Sequence, residues 1–134
     1  MKVVKINWEE TIPIRHKVLW PNEIPSYCKV EGDETAIHFG ILIEGEICCV
    51  ASIYPNQQSV RLRKFATLQE FQGKKVGSFM LNYVIKELKA SNVNYFWFDA
   101  RESAEDFYNR FGFKIEGERF YKNTVPYVKM YMNL

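Results

Sequence analysis

The sequence predicts an α/β (α+β) fold, and three observations carry that reading. Residues 36–54 read as a β-hairpin, the run from Val60 to Phe98 reads as strand, helix and buried strand, and two strand-like stretches close the chain. A strand followed by a helix and a second strand requires a parallel pair, because parallel neighbours need a long crossover.

Thr11 and Pro13 mark a helix start, with Ile14, Val18 and Leu19 along one face before Pro21 stops it. Residues 22–35 read as loop or a second short helix. Ala36 to Ile43 and Glu46 to Tyr54 are rich in β-branched and apolar residues, and Glu44-Gly45 between them suits a two-residue hairpin turn.

In the next strand Val60 and Leu62 alternate with Arg61 and Arg63. Lys64 then falls where an apolar residue should be, and Phe65 takes up the apolar role. Such a one-residue slip turns every later side chain to the other face unless the strand carries a bulge, which the pattern places at Arg63 to Phe65.

Val76, Phe79, Met80, Tyr83, Val84 and Leu88 recur at helical spacing, and Tyr95 to Phe98 follow as a continuous apolar run expected to be buried on both faces. Ala104, Phe107, Tyr108 and Phe111 mark a short helix ended by Gly112, with closing strands near 113–120 and 125–133.

The 134 residues, 47% hydrophobic and 16% aromatic, suffice for one compact domain. Eighteen Lys and Arg against sixteen Asp and Glu give a net charge of +2, too weak a field to imply nucleic acid or a membrane surface as partner. No apolar stretch follows Lys2 and Lys5, none is long enough to span a bilayer, and a cytoplasmic location is expected. Cys28, Cys48 and Cys49 lack the spacing of a zinc site or redox motif and read as reduced, buried thiols, so no metal is expected.

The chemistry is concentrated in Gln72-Gly73-Lys74-Lys75-Val76-Gly77-Ser78, a glycine-containing turn opening onto a helix N-terminus, where unpaired N–H groups attract anions. Two glycines allow close approach of a bulky diphosphate, and Lys74 and Lys75 add charge. The short pattern equally fits a plain turn with solvated lysines. A Walker loop and a Rossmann fingerprint are both excluded by spacing.

The segment resembles the coenzyme A motif of the GNAT family of N-acetyltransferases: Gln or Arg, two residues, Gly, one residue, then Gly or Ala. Lys75 stands here where the family shows its first glycine. A second stretch, Ala104 through Phe107-Tyr108 to Gly112-Phe113, is similar to the family's Ala, two residues, Phe-Tyr, three residues, Gly-Phe. The opening from Ile14 to Pro21 resembles a compact single-domain subgroup, with Pro126-Tyr127 in place of its closing Pro-His.

The resemblance implies a single N-acetyltransferase domain over residues 1–134. Its fold would be a mixed, mostly antiparallel sheet with a central parallel pair split by a bulge, flanked by helices. It implies acetyl-coenzyme A as co-substrate, with the pantetheine arm along Phe65, Ala66 and Thr67 and the diphosphate on residues 72–78. Arg101 occupies the place of an asparagine that touches the pantetheine amides in other members. Tyr108 matches the tyrosine beside the sulfur and is expected to be the general acid; as a residue on an apolar helical face it also reads as core. Among Glu70, Asp99, Glu102 and Glu105, Glu102 is the first choice of general base, with His38 a further candidate.

The reaction expected is direct attack of a primary amine on the thioester in a ternary complex, with acceptor choice set by residues 22–35 and 121–127. The alternative is an acyl-coenzyme A-binding sensor or interaction module of the same fold. A homodimer is compatible with the aromatic C-terminal stretch.

Overall fold

A computed structural model describes residues 1–134. In chain order the elements are β1 (Lys2–Ile6), α1 (Trp8–Leu19), β2 (Ile37–Ile43), β3 (Glu46–Asn56), β4 (Ser59–Thr67), α2 (Val76–Lys89), β5 (Tyr95–Arg101), α3 (Glu105–Asn109), β6 (Lys114–Lys122) and β7 (Val125–Asn133). Short 3-10 turns occur at Pro25–Cys28, Gln69–Phe71 and Glu102–Ala104. The seven strands form one sheet in the order β1-β2-β3-β4-β5-β7-β6. β4 and β5 are the parallel pair, while β1/β2, β2/β3, β5/β7 and β6/β7 run antiparallel. The expected fold class is therefore the observed one. Met1–Tyr54 with Leu62–Glu87 forms one compact unit, and Pro55–Arg61 with Leu88–Leu134 forms another.

Strand β1 escapes the sequence pattern because Lys2 and Lys5 interrupt a segment of only five residues, yet it pairs along its length with β2, from Lys2↔Leu42 to Ile6↔His38. Helix α1 starts earlier than Thr11: Glu10 Oε1 accepts the Asn7 N–H at 2.9 Å, and Glu9 and Glu10 lie at the positive end of the helix dipole. Pro13, expected in the first turn, lies in the helix interior on its exposed side.

The β2–β3 turn is as predicted. Glu44 and Gly45 take φ values of 52° and 81°, the doubly left-handed geometry whose twist matches that of the flanking strands. Helices α1 and α2 cover opposite faces of the sheet. Ile14 of α1 packs on Val50 and Ala66, whereas Tyr83 of α2 meets Phe39, which pairs with Ala51, the neighbour of Val50 on the opposite face.

The irregularity expected in β4 is present. The two-residue turn Gln57-Gln58 sets Ile53 opposite Leu62, but lower down the Leu68 N–H donates to Cys48 O at 2.9 Å, which needs one extra residue on β4. Lys64 supplies it, at a left-handed φ of 55°. Beyond Lys64, Ala66 joins Ile14 and Val50 on the α1 face, while Phe65 and Thr67 face α2 and approach Gly77.

In the second unit the expectation that β5 is buried on both faces is overturned. Phe96, Phe98 and Ala100 are buried, but Tyr95 and Trp97 alternate onto a half-exposed face. On the buried face Phe96, Phe98 and Phe113 form a ring cluster, with centroids 4.9–6.2 Å apart. On the other face the Trp97 ring carries Arg61 and Lys129, each 4.7 Å from its centroid, an arrangement that keeps the cations hydrated. Trp8 and Trp20 are likewise half-exposed, beneath Lys29 and Lys64, and are not core residues.

Candidate active site

The glycine-containing turn is fixed from within. Gln72 Nε2 donates to Thr67 O at 2.9 Å, and the Gln72 N–H donates to Gln69 O at 3.1 Å, tying the turn to the end of β4. Gly73 at φ 75° and Lys75 at φ 65° swing the backbone round. A left-handed lysine is possible here because the position is exposed, and it takes the place of the family's glycine without abolishing the turn.

The helix opens with the Phe79 N–H donating to Lys75 O at 3.0 Å. The N–H groups of Val76, Gly77 and Ser78 precede that bond, and a helix provides no acceptor for such groups. Val76 is buried and anchors the turn, whereas 73–75 are exposed. A Cβ on Gly77 would stand 3.4 Å from Phe65 Cζ and 3.9 Å from Thr67 Oγ1, so the glycine lets the first helical turn lie close against β4. Both lysines are exposed, and Lys74 Nζ lies 5.9 Å from the Phe71 ring centroid.

Tyr108 lies in the second unit, its ring 4.4 Å from that of Phe98, 5.1 Å from Phe107 and 6.2 Å from Phe113. Burial among these rings pushes its phenol up to about 12. It therefore stays protonated at physiological pH, as a hydrogen-bond donor must. Glu102 Oε2 accepts from Arg119 Nε in a partly exposed ion pair, and Arg101 is exposed at the end of β5. Asp99 is engaged by Arg61 at 3.0 Å and Lys122 at 3.6 Å.

The cysteines are buried and free of disulfides. Burial pushes the Cys49 thiol up to about 12, despite the Thr67 hydroxyl that donates to Cys49 Sγ at 3.4 Å. A thiol so protonated is no nucleophile.

One polar cluster was not foreseen. Arg15 is fully buried, and its guanidinium donates from Nη1 to Asp33 Oδ2 at 2.8 Å and from Nη2 to Asp33 Oδ1 at 3.1 Å. Nη1 also donates to Cys28 O at 3.1 Å, and Nη2 to Ser52 Oγ at 3.0 Å. Tyr54 donates to Asp33 Oδ1 at 2.6 Å. His38 is buried with both ring nitrogens engaged, Nδ1 with Ser52 Oγ at 2.6 Å and Nε2 with Asp33 O at 2.8 Å. A ring so committed has no nitrogen left for a substrate, which removes His38 as a base. Burial pushes the Asp33 carboxyl up, but hydrogen bonds from Arg15, Tyr54 and the Val30 N–H outweigh it and leave the carboxyl below its ordinary range.

A mixed sheet with a bulged fourth strand, feeding through a glycine-containing turn into the N-terminus of a helix, defines an acyltransferase of the GNAT type. A model of the acetyltransferase (GNAT) domain matches residues 20–134, and the chain belongs to that family of N-acetylating enzymes. The chain is 32% identical over 129 residues to the uncharacterized N-acetyltransferase YitI of Bacillus subtilis, covering 90% of this chain and 87% of that protein. Its fold is similar to a putative N-acetyltransferase from Lactobacillus plantarum (TM-score 0.86, 14% identity, 99% and 97% of the two chains). It is also similar to a GNAT family acetyltransferase from Elizabethkingia anophelis with acetyl-CoA bound (TM-score 0.76, 16% identity, 99% and 97%).

Proposed function

We propose that residues 1–134 act as one cytoplasmic N-acetyltransferase domain that moves the acetyl group of acetyl-coenzyme A to a primary amine by direct attack. The observation carrying this reading is the turn at 72–78, which ends in the N–H groups of Val76, Gly77 and Ser78 at the positive pole of α2. These amides, with Gln72, Gly73, Lys74 and Lys75, hold the diphosphate. The ladder between β4 and β5 covers Ser59 to Arg61, and β4 runs on to Thr67. Phe65, Ala66 and Thr67 on this continuation take the pantetheine amides, and Arg101 is the further candidate for contact with the cofactor.

Amine attack forms the N–C bond, the C–S bond then breaks, and the thiolate receives a proton. Tyr108 supplies the donor. A phenol at about 12 is a weaker acid than a thiol of ordinary pKa near ~8.5, so its main contribution is a hydrogen bond that stabilises the departing sulfur, and a tyrosinate left by proton transfer is reprotonated from solvent, which takes up the proton removed from the amine. Glu102 removes the amine proton, giving up part of its ion pair with Arg119 to do so.

Acetyl-coenzyme A at about 100 times its Kd should stabilise the protein by about 2.7 kcal/mol, a shift of several degrees in Tm. No shift would remove the cofactor assignment. Stabilisation without thiol release across a broad panel of amines would favour the non-catalytic module.

A further inference from the structure

We propose that Lys64 is a modification site: acetyl-coenzyme A bound to a chain acetylates the Lys64 side chain of that same chain. This rests on the transferase reading above and goes beyond it by assigning an acceptor amine within the protein.

The direction of β4 sets where the acyl end of the cofactor comes. With the diphosphate on 72–78 and the arm along Thr67, Ala66 and Phe65, the thioester is the end farthest from the turn. The next residue along the strand is Lys64. It carries a primary amine, the class of nucleophile the reaction uses, on a flexible four-carbon stem.

The backbone sets Lys64 apart as well. Glu44, Gln57 and Asn123 also have positive φ, but they serve two-residue hairpin turns, whereas Lys64 holds φ 55° within a strand. Glycine or asparagine adopts this geometry with less strain. The bulge needs one extra residue and no cation, and strain of this kind gathers at functional segments.

The side chain is half-exposed, with Nζ 4.7 Å from the Trp20 ring centroid. Trp20 is itself fixed at the end of α1, its N–H donating to Arg15 O at 3.2 Å. The ring gives the ammonium a preferred place next to β4, and such proximity turns a bimolecular acylation into an intramolecular one.

In the step itself the Lys64 ammonium gives up one proton to water. Neutral Nζ then attacks the acetyl carbonyl, the N–C bond forms, and the C–S bond breaks with its electron pair on sulfur. The second proton lost from nitrogen is balanced by the one the thiolate takes up, leaving an acetylated lysine and free coenzyme A. Acetylation removes the positive charge and with it the attraction to the Trp20 ring.

The test incubates the protein with acetyl-coenzyme A and no added amine, then maps acetylation by proteolysis and mass spectrometry. Lys64 should be acetylated at least about tenfold faster than Lys86 and Lys89, which are exposed on α2. The rate per chain should stay constant when the protein is diluted about tenfold. S-acetyl-N-acetylcysteamine, an acetyl thioester with no diphosphate for 72–78, should show no preference for Lys64. Lys64→Arg keeps a cation over Trp20 and should abolish the fast acetylation while the Kd for acetyl-coenzyme A stays within about twofold.

Acetylation of Lys64 no faster than that of Lys86 and Lys89 would overturn the proposal, as would a rate per chain proportional to protein concentration or an equal preference for Lys64 with the short thioester. If acetyl-coenzyme A still raises Tm in those cases, the cofactor site stands without the modification. Loss of that Tm shift would instead remove the transferase reading beneath it.

Discussion

Arg15 and Asp33 face one another with two guanidinium–carboxylate hydrogen bonds, 2.8 and 3.1 Å long, and neither residue has more than 1% of its surface exposed. Breaking such a pair leaves a buried charge alone. Asp33→Ala should therefore lower the unfolding free energy by about 3–5 kcal/mol, read from urea denaturation at neutral pH.

The same pair sets an acid limit. Because the folded carboxyl lies below its unfolded value, its stabilising contribution is complete above about pH 4 and is lost as pH falls through the lower folded value. Comparing the midpoints of Asp33→Asn and wild type from pH 7 to pH 2 checks the sign: the gap between them should narrow below about pH 4. A gap that widens toward low pH would contradict the assignment.

Gly73 has φ 75°, and a Cβ placed there would meet nothing within 4 Å. The penalty of Gly73→Ala is therefore one of backbone conformation alone, about 1 kcal/mol. On the proposed reading the variant should also bind acetyl-coenzyme A more weakly, by about tenfold in calorimetry, because the turn that aims the amides is displaced.

Tyr108→Phe keeps the packing against Phe98 and Phe107 and deletes only the hydroxyl. We expect kcat to fall by about 10²-fold or more with the Kd for acetyl-coenzyme A nearly constant. Since the phenol remains protonated to about 12, the wild-type rate should show no descending limb between pH 7 and 10 attributable to it.

Cys49 is wholly buried, with its thiol held at about 12. Iodoacetamide at pH 8 should leave Cys49 unmodified in the native protein and alkylate it in urea, as mass spectrometry of the digested protein will show.

Much of this was legible in the residues, and the boundary has a physical basis. The hairpin turn, the phase slip at Lys64 and the apolar face of α2 are signals of short range, written in neighbouring residues. The ion pair of Arg15 with Asp33 joins residues 18 apart across an irregular loop, and no periodicity announces it. β1 was hidden because Lys2 and Lys5, three residues apart and so on opposite faces, break the apolar alternation of a five-residue strand. Trp97 misled because an apolar ring under a cation and an apolar ring in a core look alike in sequence. Of the proposed site, the turn at 72–78 and Tyr108 are singled out by motif spacing. The Arg119 partner of Glu102 is not, because it depends on how β6 returns past the end of β5.

The single left-handed residue in β4 makes that strand two ribbons joined by a half-turn. Because Lys64 is the extra residue, its deletion would make β4 a regular strand with Ala66 still beside Val50 and Ile14 and Phe65 still near Gly77, whereas one more residue beside it would exchange their destinations, driving a bulky ring toward Ile14 and leaving a methyl group beside Gly77. An insertion at this point should therefore be far less tolerated than one in an exposed turn such as Gln57-Gln58, and a mutational scan of length variants would read the bulge directly as a position that can lose a residue more readily than gain one.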